Sequence, residues 1–147
     1  MQQENSAPSD SLTPAMRDGL HWLSLYLRAA FGSLFLIVGI SKIPNGVAGT
    51  IEYFHSVLED TMLPAFLVTA HASVIMFVEI ILGIWLILGF RLSLAWKVAV
   101  VVLLTLAIGM VFAQNYDVAA TNYLYGFMAA IGILIARYDR WNLGACR

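Results

Sequence analysis

"RAAFGSLFLIVGISK" occupies residues 28–42, and its reading decides the fold. A cation stands at each end, and small or apolar residues fill the space between. As a membrane helix, the thirteen residues between Arg28 and Lys42 cover only about 20 Å, against a hydrocarbon core of about 30 Å. Both charges therefore cannot reach water. The span has to begin earlier, near His21. That leaves Arg28 inside the membrane, in need of a partner, and Lys42 at the outer end.

The rest of the chain agrees with a membrane setting. Of its 147 residues 61% are hydrophobic and only 12% charged, with a mean hydropathy of +0.82. Soluble domains carry about a quarter charged residues, so one polytopic membrane domain is the reading that fits. A net charge of -1 with no basic patch predicts no nucleic-acid partner. The lone cysteine, Cys146, excludes an intrachain disulfide and a CxxC motif, and with them dithiol chemistry carried by this chain alone. Residues 1–19 are polar and lack the basic-then-apolar opening of a signal peptide, so they are expected to form an uncleaved, disordered cytosolic tail.

Four apolar stretches are long enough to span, at about residues 20–43, 63–90, 92–116 and 118–137. The last three are joined by very short links, which forces antiparallel neighbours. The longer first link opens on a Pro-Asn-Gly turn signal. It continues as "TIEYFHSVLED", with Ile51, Phe54, Val57 and Leu58 at helical spacing. The expected fold is an all-α integral membrane protein: an antiparallel four-transmembrane-helix bundle with a short interfacial helix between helices 1 and 2. Arg17, Arg91, Lys97, Arg137, Arg140 and Arg147 gather on one side and Lys42 alone on the other. The positive-inside rule then puts both termini, including a short tail over residues 139–147, in the cytosol. Trp22, Trp96, Tyr138 and Trp141 fit an aromatic belt on that side.

Two constellations could carry chemistry. Counting depth along the helices brings Glu79 of the second span level with Arg28, so these two are expected to form a buried charge pair. Such a pair either fixes helix register or marks a proton or substrate site. The second constellation is an outer-half pocket assembled from Lys42, Glu52, His55, His71, Gln114, Asn115, Asn122 and Tyr123. Its histidines suit proton shuttling, while its other members could equally be ordinary helix-end polar residues. No metal or haem site is expected, because His21 lies across the membrane from the other two histidines and no cysteine supports them. Gly126 and Ala130 make a small-xxx-small pair of the kind that lets helices approach closely.

The residues around 25–107 resemble the DoxX-like family of small four-helix bacterial membrane proteins. The likeness rests on Arg28, Gly39 and Lys42, on Phe54 and the Leu63-Pro64 step, and on Glu79, Gly83, Gly89 and Arg91. The resemblance implies a place in the bacterial inner membrane and kinship with subunits of membrane oxidoreductase and respiratory systems, with quinone as the ligand. In that role His71 or His55 would accept quinol protons, and Lys42 and Asn122 would hold the carbonyl oxygens. No redox cofactor is evident in the chain, so electrons would come from partner membrane subunits. Two other readings stand beside this one: a non-catalytic scaffolding or assembly subunit, and a transporter of a small solute. Against transport, four helices leave little room for alternating access and no broken-helix repeat is visible.

Overall fold

The computed structural model describes residues 12–141. It is all-helical among those residues, with α1 at Pro14–Ser41, α2 at Gly46–Leu58, α3 at Ala65–Leu88, α4 at Leu92–Phe112 and α5 at Tyr116–Ile135. The chain makes four passes, each long and apolar enough to cross a membrane, the first of them running through Pro14–Leu58. One end of the bundle, here the base, holds the start of α1, the α3–α4 turn and the end of α5. The other end, the rim, holds the α2–α3 and α4–α5 links.

α1 starts earlier than the apolar pattern implies. Thr13 caps it, accepting from Met16 N at 3.3 Å, and Pro14 occupies the first turn, where its missing N–H costs nothing. Residues 14–19 are therefore helical, not part of a disordered tail, while residues 1–11 and 142–147 lie outside the described residues.

The first pass is a helix in two pieces. α1 stops at Ser41, a single 3₁₀ turn covers Ile43–Asn45, and α2 begins at Gly46, whose φ of 62° suits glycine. Pro44 contributes by removing a backbone donor at the break. The helix foreseen at the interface between the first two spans forms as a helix but is the second piece of the first pass, packed lengthwise along the first half of α3. Phe54 meets the His71 ring edge-on at 5.7 Å, and His55 Nε2 lies 2.8 Å from Thr69 Oγ1. α1 covers the second half of α3. The break thus falls near the middle of α3, and Lys42 marks that break instead of the outer end of the span.

Glycines set the α1–α3 register. A Cβ on Gly83 would lie 2.6 Å from Leu36 N and 2.8 Å from Gly32 O, and one on Gly39 would lie 3.2 Å from the Glu79 Cβ. These positions let the two backbones touch, as small residues do where no hydrophobic force drives helices together in lipid. α4 and α5 form the second close pair. Trp96 fills the junction: it is wholly buried, its ring stacks edge-on with Phe31 at 5.4 Å, and a Cβ on Gly132 would lie 2.5 Å from its ring. Trp96 is therefore a core residue and not part of an aromatic belt, whereas Trp22 and Trp141 are exposed.

Two left-handed residues, Gly89 (φ 72°) and Arg91 (φ 43°), make the α3–α4 turn. Gln114 (φ 56°) and Asn115, which accepts from Val118 N at 3.3 Å, make the α4–α5 turn.

Candidate functional site

The buried charges sort into two pairs, and neither is the pair expected from depth counting. Arg28 does not meet Glu79. Its guanidinium lies at the base, where Nε donates to Leu86 O at 3.1 Å and Nη2 to Ile87 O at 2.8 Å. Those carbonyls belong to the last turn of α3, which has no intrahelical partners for them, so Arg28 caps α3 with a cation at its negative end. Nη1 pairs with Asp139 Oδ2 at 3.0 Å. Asp139 also accepts from Ser24 Oγ at 2.9 Å and from Trp141 N at 2.8 Å. Its side chain is fully buried, although the sequence places it in a tail. The 3₁₀ turn at Ala136–Tyr138 folds it back under the bundle. Gly89 is required here twice, since a Cβ would also strike the Arg28 guanidinium.

Asp139 was legible in part. His21, Ser24 and Arg28 stand at i, i+3 and i+7 on one α1 face, a polar stripe that asks for a partner at the base. His21 finds one too, its Nδ1 accepting from Arg140 N at 3.3 Å.

Glu79 is 2% exposed and pairs with Lys42, Nζ to Oε2 at 2.5 Å. It lies fourteen residues from the start of α3 and nine from its end, or about 21 Å and 14 Å along the axis, so the pair sits deep in the bundle. Contact register, not depth along the helices, decides the pairing. Gly39 is the residue that backs onto Glu79, and Arg28 lies eleven residues, about 16 Å, further down α1.

Of the eight outer-half residues, the structure gathers four around α2 and α3. Lys42 holds Glu79. His55 and Glu52 line a rim crevice with Glu59. His71 lines a neighbouring cavity of about 320 Å³ between α2, α3 and α4, walled mainly by apolar side chains such as Phe54, Leu58, Leu67, Leu106 and Met110. Glu52 and His55 stand one helical turn apart, but among the described residues no three His, Cys, Asp or Glu side chains are placed to hold a metal ion together. The other four lie on the α4–α5 side. Gln114 and Asn115 build the turn described above, Asn122 Nδ2 donates to Val118 O at 3.0 Å, and Tyr123 is exposed. None of these four lines the cavity.

A polytopic helical bundle with two buried ion pairs and an apolar cavity between α2, α3 and α4 is the class these features define. The chain belongs to the family of methylamine utilisation protein MauE, whose sequence model matches residues 20–121. No curated protein and no solved structure matches it. The DoxX-like resemblance is thereby overturned. The residues that suggested it have local physical reasons: Gly39 and Gly83 permit helix contact, Arg28 caps α3, and Lys42 and Glu79 neutralise each other.

Proposed function

We propose that this chain is a membrane subunit of a methylamine utilisation system, and that it works there by holding a quinone ring in the cavity between α2, α3 and α4. The observation that carries the reading is the cavity itself. At about 320 Å³ it has the size of a small-molecule site, and its apolar wall is broken by one ionisable side chain, His71. An imidazole there can donate to a quinone carbonyl and take a proton from a quinol, while electrons pass to or from a partner subunit. Lys42 and Asn122 play no part in this version, since Lys42 is engaged by Glu79 and Asn122 bonds its own helix.

The orientation follows from charge. Exposed Arg91, Lys97, Arg137 and Arg140 lie at the base, and exposed Glu52, Glu59, Asp60 and Asp117 lie at the rim. This distribution supports a base that faces the cytosol under the positive-inside rule, as in an inner-membrane protein. The test is purification of the full chain in mild detergent with its lipids, followed by quinone quantification. Wild type retains quinone, and His71→Phe weakens retention about tenfold, the effect of losing one strong hydrogen bond. If no quinone is retained, and methylamine-dependent electron transfer survives deletion of the chain, the cavity reading falls and a scaffolding role replaces it.

A further inference from the structure

We propose that Glu79 is a binding site for a small primary alkylammonium ion, with the side chain of Lys42 as its resident occupant. This rests on the methylamine reading above but not on the quinone. The Glu79 carboxylate is deeply buried and holds an –NH₃⁺ group against Oε2. Lys42 ends in the same group as a primary alkylammonium, with the same three donors and the same charge. Exchange of one for the other leaves the buried carboxylate paired at every stage outside the exchange itself, so it avoids the large penalty of a lone buried charge.

Three further observations favour exchange. Lys42 stands outside α1, at the break, so its side chain can leave without unwinding a helix. Its side chain is 24% exposed, against 3% for Glu79, so the lysine is the less enclosed partner of the pair. The rim, moreover, exposes Glu52, Glu59, Asp60 and Asp117 and, among the described residues, no Lys or Arg, a field that concentrates small cations at that end.

The test uses the full chain in detergent micelles and its thermal midpoint, read from tryptophan fluorescence. Methylammonium chloride is compared with tetramethylammonium chloride at matched ionic strength, since the second cation carries no N–H. Lys42→Ala is expected to melt below wild type and to be raised by about 2–4 °C by saturating methylammonium, with no response to tetramethylammonium. The response disappears in Lys42→Ala/Glu79→Gln. Equal responses to the two salts, or none, overturn the site. Should Lys42→Ala not accumulate, amine-reactive labelling of wild type decides: methylammonium should speed labelling of Lys42 relative to Lys97, and an unchanged ratio overturns the site. A chain that supports growth on methylamine while failing these tests leaves the proposed function standing and removes only the site at Glu79.

Discussion

At the scale of the residue, four charged side chains find two partnerships, and the pairing is testable by coupling. Arg28→Met strands Asp139 in a buried position and uncaps the end of α3, and should cost about 3–5 kcal/mol in detergent unfolding. Arg28→Lys keeps the charge but loses the planar fork that reaches two carbonyls and a carboxylate together, so it should recover only part of that loss. Double-mutant cycles should give coupling well above 0.5 kcal/mol for Arg28 with Asp139 and for Lys42 with Glu79, and additivity for Arg28 with Glu79. Coupling in that last cycle would contradict the pairing. The presence of buried charges was readable from sequence, because cations at residues 28 and 42 cannot both reach water. Their partners were not readable, because pairing depends on which backbones touch, and that is set by glycines whose role emerges only in contact.

At the scale of the element, the α1–α3 contact is governed by absent side chains. Gly83→Ala puts a methyl group against the Leu36 backbone, which cannot rotate away, and should destabilise by about 1–3 kcal/mol. Gly19→Ala is the control. No atom lies within 4 Å of its Cβ position, so the substitution should stabilise α1 by up to about 1 kcal/mol. Chemical unfolding of both variants measures the contrast. The four apolar passes and the helical character of α2 were readable from hydropathy and helical spacing. The seating of α2 along α3 was not, since an amphipathic stretch presents the same pattern to a headgroup layer and to a neighbouring helix.

At the scale of the whole molecule, the asymmetry of charge between base and rim predicts sidedness. Single cysteines introduced at Glu59 and at Arg140, with Cys146 replaced, should be labelled by an impermeant thiol reagent from opposite faces of intact cells, Glu59→Cys from outside. Labelling of Arg140→Cys alone from outside would reverse the orientation. Of the sequence-predicted outer pocket, Glu52 and His55 share a rim crevice, His71 lines a neighbouring cavity, Lys42 pairs with Glu79, and the residues on α4 and α5 stand apart. Polar residues at one depth share an end of the bundle, but the four passes pair as α1 with α3 and α4 with α5, and the two halves of that end serve different structural purposes.

The break at residues 42–46 also bears on how the chain enters a bilayer. Lys42 and Glu79 are 37 residues apart, close enough for this pair to form as soon as the first two passes have left the insertion machinery. Arg28 meets Asp139 across 111 residues. The Arg28 guanidinium can cap α3 once the second pass is in place, but it gains its carboxylate partner only after synthesis has passed the end of the fourth pass. The base is the last part of the protein to close, and a ribosome stalled before residue 139 would leave an inserted bundle without its final latch.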